Sequence, residues 1–413
     1  MAGRENSIVF SPGRIGNIEI KNRLVRSATY ENAATDNGEA TDVLVEIYRM
    51  LGQGGVGLII TGITGVYPKA LAPAKLMRID NDSYIPGLTK VSKAVHDLGN
   101  DCKIMLQLHH PGRQILDPEK AASLLPPALV AYMEKAQISP PTAEEAEPEI
   151  EPTAPSAIFD PTFQRTPRAL TLEEVDEIID AFAEGIRRAQ EAGFDGVQLH
   201  AAHGWLLSSF LSPHTNQRED QYGGSTENRT RMVKEIYERA RKKVGKDFPI
   251  LIKMNTTDFL PTGSTLDEAA KVGEILSKTG FAALEASGGM WEALTRDQEE
   301  LGWMPVLLPE SRVGIKTRDQ EAYFLEGAKK LKNRTNTPII LVGGVRSFDK
   351  IEEIVGSGWA DFLSMSRPLI RQPDLPNLWL TGEGPDRAEC ISCNTCLPLG
   401  EDPTSCKVKK SER

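Results

Sequence analysis

The sequence predicts a (β/α)8 barrel, the TIM-barrel architecture, with an insertion after strand three and a cysteine-rich C-terminal tail. Two observations carry this expectation. Eight short apolar runs alternate with amphipathic helical stretches along the 413 residues, which is the rhythm of parallel strands covered by helices. Seven of the eight runs also end in reactive or ligand-binding residue types. A barrel gathers its site from the C-terminal ends of many strands, whereas a doubly wound sheet concentrates it at one switch point.

The strands follow in order. "NRLVRSA" (22–28) leads to Thr29 and Tyr30, and "GLIIT" (57–61) to Thr61 and Thr64. "KIMLQL" (103–108) carries Gln107 and runs into His109 and His110, and "DGVQLH" (195–200) ends at His200 with His203 just beyond. "PILIKM" (249–254) brings Lys253 and Asn255, while "FAALEAS" (281–287) is the exception without an evident terminal group. "PIILVG" (338–343) ends in Gly343 and Gly344, and "ADFLSM" (360–365) in Ser366 and Arg367. Near-continuous apolar character fits strands buried on both faces. The clearest helix spans 171–192, where Thr171 and Glu174 form a capping box ahead of Val175, Ile178, Ile179 and Phe182. Further helices are read near 227–244, 266–279 and 319–334.

Two regions depart from the rhythm. Residues 117–160 are rich in proline and contain the acidic tract "AEEAEPEIEP". Their place after strand three puts them over the barrel mouth, either as a surface loop or as a lid. The chain thus divides into a barrel over 1–380 and a tail over 381–413 that holds four of the five cysteines. Crowded cysteines in a reducing compartment read as metal ligands rather than disulfides.

Composition excludes some classes. A formal charge of −10 with no basic stripe argues against nucleic acid and anionic membranes as partners. No stretch reaches the roughly 18 apolar residues of a membrane span, and "MAGRENSIVF" lacks a signal-peptide core. The expectation is a cytoplasmic protein.

The motifs point to anion and cofactor chemistry. Gly343 and Gly344 let backbone N–H groups approach an anion at a helix start, and Arg367 can grip a phosphate with two donors. A tight turn with a surface arginine is the plainer reading. Lys253, following apolar strand residues, needs a partner if buried. It is read as a Schiff-base lysine, as a cation stabilising charge on a bound ring, or as an ion-pair partner of Asp258.

"NRLVRSATYE", "QLHHPGRQ", "PRALTLEEV", the long block "GFDGVQLHAAHGWLLSSFLSPHTNQREDQYGGSTENRTR", "VGGVRS" and "SRPLI" together resemble the old yellow enzymes, flavin-dependent barrels that bind FMN at the mouth and take electrons from NAD(P)H. The resemblance covers most of residues 10–375. It implies that Ser27, Ala28 and Thr29 meet the flavin edge largely through backbone, with Ile63 close by. Gln107 would bond the pyrimidine portion. Lys253, where many members carry arginine, would stabilise charge near N1 and O2 of the reduced ring. Gly343, Gly344, Ser366 and Arg367 would bind the phosphate. Asn216, Arg218, Asp220 and Tyr222 look like a structural motif.

The resemblance makes His200 and His203 the substrate pair, two imidazoles that clamp a carbonyl or phenolate oxygen so that hydride moves between flavin N5 and the β-carbon. Satisfied core histidines, or a zinc pair completed by His214, are the competing readings. Trp205 departs from the family, which usually has a proton-donating tyrosine there. Indole is no useful acid, so Tyr30, Tyr67 or water delivers the proton, the enzyme runs as a dehydrogenase, or the ring only shapes the pocket.

The tail "ECISCNTCLPLGEDPTSC" gives C-x2-C-x2-C-x9-C from Cys390, Cys393, Cys396 and Cys406. Three thiolates in seven residues wrap a cubane corner readily, whereas structural zinc more often uses two separated knuckles. The run is similar to that of the trimethylamine dehydrogenase and 2,4-dienoyl-CoA reductase branch, which implies a [4Fe–4S] cluster, with zinc or idle thiols as alternatives. Cys102 reads as a core residue. No second Gly-rich βαβ unit follows, so the expected partners are a small-molecule substrate and an electron-carrier protein or additional subunit, with a homo-oligomer left open. The expected activity is hydride transfer to or from an activated unsaturated carbonyl or thioester. The alternatives are an amine- or ring-oxidising dehydrogenase and a non-redox, zinc-binding barrel scaffold.

Overall fold

The computed structural model describes residues 3–115, 150–306, 308–397 and 402–408. Most of the 117–160 insertion therefore lies outside the described residues. Eight parallel strands close on themselves: β1 (Leu24–Arg26), β2 (Leu58–Gly65), β3 (Lys103–His109), β4 (Gly196–Ala201), β5 (Ile250–Asn255), β6 (Leu284–Ser287), β7 (Ile339–Leu341) and β8 (Phe362–Met365). Closure is made where Leu363 of β8 registers with Leu24 of β1, and Val25 of β1 with Leu58 of β2. The predicted (β/α)8 barrel is the observed fold.

A principal helix follows each strand, with shorter helical turns between some of them: α1 (Asp42–Gln53), α2 (Ile85–His96), α3 (Leu172–Glu191), α4 (Arg231–Val244), α5 (Leu266–Thr279), α6 (Leu325–Lys332), α7 (Phe348–Gly356) and α8 (Leu375–Thr381). The capping box of α3 forms as expected, with Thr171 N–H donating to Glu174 Oε2 at 2.8 Å and Glu174 N–H to Thr171 Oγ1 at 3.2 Å. The helix expected from 319 starts six residues late. The chain first makes a short turn at Arg318–Gln320, and Ala322 takes a left-handed φ of +55°. Tyr323 N–H then donates to the Gly343 carbonyl instead of to a helical one.

Side chains inside the barrel form layers, because alternate residues of every strand point inward. The lowest layer is apolar, with Val25, Leu58, Ile60, Met105, Leu251, Ala283, Ile340 and Phe362. The antiparallel hairpin of Gly13–Ile15 and Ile18–Ile20 closes this end with Ile15 and Ile20. Two residues further along the same strands the inward positions become Ser27, Gln107, Gln198, Lys253, Glu285 and Ser364, all buried. The sequence thus switches from sealing the barrel to building a polar floor.

The tail lies over the mouth. Phe348 N–H donates to the Asp386 carbonyl and Ala388 N–H to that of Arg346, both at 2.8 Å. Beyond the cysteines, Thr404 N–H reaches the Glu31 carbonyl at 2.8 Å and Thr404 Oγ1 the Tyr30 carbonyl at 2.7 Å. The segment therefore spans from the β7–α7 turn to the loop after β1.

Candidate active site

Glu285 organises the floor of the mouth. Its Oε1 accepts from Ser27 Oγ and Ser364 Oγ, each at 2.7 Å, and lies 3.4 Å from Lys253 Nζ. Its Oε2 accepts from Gln198 Nε2 at 2.8 Å, and Gln198 in turn accepts from Gln107 Nε2 at 2.7 Å. Lys253 Nζ also donates to Ser27 Oγ at 2.9 Å. A carboxylate with no exposed surface is tolerable only with such a full set of partners.

Ser27, Gln107 and Lys253 are thus brought together as expected, while Glu285, Gln198 and Ser364 were not singled out from sequence. The signal was present, since Glu285 shares the period-two register of Ala283 and Ser287 in "FAALEAS". Asp258 is not the partner of Lys253. It accepts from Ser212 Oγ at 2.7 Å, from the Ser264 N–H at 2.6 Å and from Asn255 Nδ2 at 2.8 Å.

Above the floor stand the imidazoles of His200, His203 and His109 and the indole of Trp205, while His110 stacks on Tyr67 at 5.6 Å. His200 registers beside Lys253, and its ring centre is 5.1 Å from that of His203 and 5.8 Å from that of His109. Trp205 meets His109 edge-on at 4.6 Å. His203 has φ +64°, held by its N–H on Asn255 Oδ1 at 2.9 Å and its carbonyl on Gln114 Nε2 at 2.7 Å. Strain fixed from both sides keeps the ring in one place. His203 Nε2 lies 2.7 Å from Ser287 Oγ, and its Nδ1 is 3.9 Å from Glu310 Oε1.

Burial pushes the pKa values of His200 and His203 well below the usual value, with Lys253 adding repulsion to both. His109 and His110 are pushed down to about 3, again by burial. All four rings are neutral near pH 7, so each offers one donor and one acceptor. His200 Nδ1 is buried without a partner among the described residues. An orphaned imidazole nitrogen over a polar floor fits a site that a ligand completes.

The remaining candidate residues separate from this cluster. His214 does not join the pair, because its nitrogens face Thr262 Oγ1 at 2.6 Å and Glu292 Oε2 at 2.8 Å. Neither tyrosine hydroxyl suggested as a proton source is aimed at the histidines: Tyr67 Oη donates to Glu177 Oε2 at 2.9 Å and Tyr30 Oη to Asn32 Oδ1 at 2.7 Å.

The rim toward β7 and β8 has the features of an anion cradle. Gly343 and Gly344 take φ of +128° and +74°. A Cβ on Gly344 would fall 2.6 Å from both Tyr323 and Ile315. Thr29 Oγ1 and Ser366 Oγ are 2.6 Å apart, joining the ends of β1 and β8, and Ile63 follows a register shift in β2 that sets it beside Gln107. Ala28 packs against the apolar barrel layer.

Arg367 donates to the Arg312 carbonyl at 2.8 Å and to Asn394 Oδ1, so it reaches the tail as well as the rim. Arg346, missed from sequence, donates to the carbonyls of Gly344 at 3.1 Å and Cys390 at 2.7 Å, and its Nη2 is buried without a partner among the described residues.

Cys390, Cys393, Cys396 and Cys406 line one cavity together with Arg367, Arg371 and Asn394, and all are free thiols. Burial pushes Cys396 up to about 12. Among the described residues no three His, Cys, Asp or Glu side chains converge on a single ion. Cys102 is buried in the core. Among the described residues no helix is long and apolar enough to cross a membrane.

Comparison with known proteins gives these features a context. The model of the NADH:flavin oxidoreductase / NADH oxidase family matches residues 8–379. The NADH oxidase of Thermoanaerobacter brockii is 35% identical over 387 residues, covering 94% of this chain and 52% of that protein, so the chain spans about half the length of this relative. The solved 2-naphthoyl-CoA reductase complex superposes with a TM-score of 0.81 at 26% identity, covering 97% of this chain and 56% of the other. The old yellow enzyme homologue from Zymomonas mobilis does so with a TM-score of 0.69 at 25% identity, covering 93% and 95%. A barrel whose mouth carries this floor, this histidine pair and this glycine rim, matched along nine-tenths of its length, belongs to the NADH:flavin oxidoreductase / NADH oxidase family, the old yellow enzymes.

Proposed function

We propose that the chain is an FMN-dependent oxidoreductase that draws on NAD(P)H and transfers a hydride between flavin N5 and an activated unsaturated carbonyl or thioester. The observation that carries this reading is the pair of neutral imidazoles, His200 and His203, fixed above the Ser27–Lys253–Glu285 floor. A neutral donor pair polarises a carbonyl oxygen without placing a competing cation beside it. The solved neighbour that acts on an aryl thioester favours the thioester branch.

Bound FMN would supply the hydride chemistry. Ser27, Ala28 and Thr29 would meet its edge, Ile63 would pack close by, Gln107 would bond the pyrimidine, and Lys253 would stabilise negative charge on it. Gly343, Gly344, Ser366 and Arg367 would hold the phosphate, with the unpartnered Nη2 of Arg346 nearby. His200 and His203 orient the substrate oxygen, and Trp205 and His109 wall the pocket.

The tail fits a [4Fe–4S] cluster held by Cys390, Cys393, Cys396 and Cys406, which would relay electrons to a partner carrier or further subunit. Four free thiols face one cavity without closing on a point, and Arg367 and Arg371 line the same cavity, where they would offset the negative charge of a bound cluster. The reading also places the protein in the cytoplasm, where such thiols stay reduced.

The test is the visible spectrum of anaerobically purified protein with iron and acid-labile sulfide assayed on the same sample. Flavin bands, about four irons per chain and NAD(P)H-dependent consumption of an enoyl thioester are expected. Colourless protein that FMN does not reconstitute would instead support the zinc-binding scaffold. A second reading, an amine- or ring-oxidising dehydrogenase, is favoured by Trp205, which cannot serve as an acid. Substrate-dependent flavin bleaching without NAD(P)H would select it.

A further inference from the structure

Reduction of an activated alkene consumes a hydride at the β-carbon and a proton at the α-carbon, so the proposed function needs an acid beside the carbonyl clamp. Among the described side chains around that clamp, most are disqualified. His109, His110, His200 and His203 are neutral and far too weakly basic to carry a spare proton near pH 7. Trp205 is a donor but no acid. The hydroxyls of Tyr30 and Tyr67 are committed elsewhere.

Glu310 is different. It arrives on the loop between β6 and α6, and its Oε1 lies 3.9 Å from His203 Nδ1. Its Oε2 is buried and has no hydrogen-bond partner among the described residues. The loop is anchored at this residue and just after it. Tyr323 Oη donates to the Glu310 carbonyl at 2.9 Å, and Ser311 Oγ donates to Asn394 of the tail at 3.0 Å. Arg312 stacks 3.3 Å over the Trp303 ring. A carboxyl so held, with one oxygen open, is positioned rather than incidental.

From these relations we propose that Glu310 is the acid that protonates the α-carbon. This rests on the alkene-reducing reading above. When His203 holds the carbonyl oxygen, the α-carbon is one bond from the carbonyl carbon, within reach of a group beside that imidazole. Bound reduced flavin would supply the hydride pair for the β-C–H bond, leaving the alkene π pair as an enolate. The Glu310 O–H bond then breaks, its electron pair stays on the carboxylate, its proton forms the α-C–H bond to the enolate, and the carboxylate is recharged by one proton (H⁺) from solvent per turnover. The reductant is NAD(P)H through the flavin, so electrons balance.

The surroundings suit the role. Burial raises the carboxyl above its ordinary range, opposed by Lys253 from β5, Arg367 from the end of β8 and Arg312 from its own loop, with neutral His203 facing it from the turn after β4. Such a group keeps its proton to a higher pH than an ordinary glutamate and stays rechargeable.

The experiment uses the flavin-loaded protein reduced anaerobically with dithionite, so that the identity of the natural donor does not matter. Reoxidation is followed by stopped flow with an activated cyclic enone and with ferricyanide, which needs no proton. In Glu310→Gln the ratio of the enone rate to the ferricyanide rate falls about 100-fold, Glu310→Asp restores part of it, and the alkaline fall of the wild-type enone rate disappears. An unchanged ratio with the same pH profile would overturn the assignment. Wild-type protein that no enone or enoyl thioester reoxidises would overturn the underlying reading and the assignment with it.

Discussion

Lys253 on β5 and Glu285 on β6 form a 3.4 Å ion pair at the centre of the barrel, where they are 4% and 0% exposed. The pair separates an apolar layer below from the histidine cluster above. Glu285 also collects Ser27, Ser364 and Gln198, so one carboxylate fixes side chains from four other strands.

Removing that carboxylate should therefore cost stability before it costs chemistry. Glu285→Gln leaves the Lys253 ammonium buried without a counter-charge, and the expected loss is about 3–5 kcal/mol. The double variant with Lys253→Met should recover much of it while weakening flavin affinity. Chemical denaturation of the four proteins, alongside FMN binding by fluorescence, checks both halves. Equal stability of Glu285→Gln and the parent would mean the pair carries no structural weight.

How much of this was legible follows from where each residue lies in its element. The eight strands are legible because continuous apolar runs announce doubly buried strands, and Gln107 and Lys253 stand out because they interrupt such runs near their ends. Glu285 sits inside "FAALEAS", where the surrounding apolar run hides it, although its parity with Ala283 and Ser287 aims it inward. Glu310 and Arg346 carry no periodic signal. Both are brought to the mouth by loop geometry, Glu310 through the Tyr323 and Ser311 anchors and Arg346 through the Gly344 and Cys390 carbonyls. The late start of α6 was equally hidden, since it depends on Tyr323 bonding Gly343 of a distant turn.

The buried histidines predict an acid-sensitive fold. His109 and His110 have folded values of about 3 against 6.5 in the unfolded chain. The unfolded state binds more protons between those limits, so the stability is complete above 6.5 and is lost as pH falls toward 3. Each ring contributes a slope of about 1.4 kcal/mol per pH unit inside that window. Denaturation midpoints measured from pH 7 to pH 5 should fall accordingly, and less steeply in His109→Gln. An unchanged slope in that variant would contradict the burial argument.

The cysteine tail can be tested apart from the flavin site. Cys396 is the most buried of the four thiols lining the cavity, so Cys396→Ser should lower iron below the roughly four atoms per chain of an intact cluster. Cys102→Ser, in the core behind β3, should leave iron unchanged. Because Arg367 and Arg346 join the tail to the rim of the mouth, losing the cluster should also weaken FMN retention during gel filtration. Full iron in Cys396→Ser would remove that thiol from the ligand set.

Trp205 offers the complementary test of proton delivery. It stands at the start of the Leu206–Leu211 helix with φ −62°, an ordinary conformation for any residue, and its ring packs edge-on against His109. Trp205→Tyr replaces the indole with a smaller ring that carries an ionisable hydroxyl on the same side of the pocket as His200. In the Glu310→Gln background this substitution should recover at least about tenfold of the lost enone rate, since a positioned general acid contributes 10²–10⁴-fold. The recovered activity should decline only at a pH where a phenol ionises, above the range in which the parent declines. A stopped-flow pH series on the double variant reads both effects. If Trp205→Tyr speeds the parent and the Glu310→Gln variant by the same factor, the two groups do not share a task, and Glu310 acts by shaping the pocket rather than by giving up a proton.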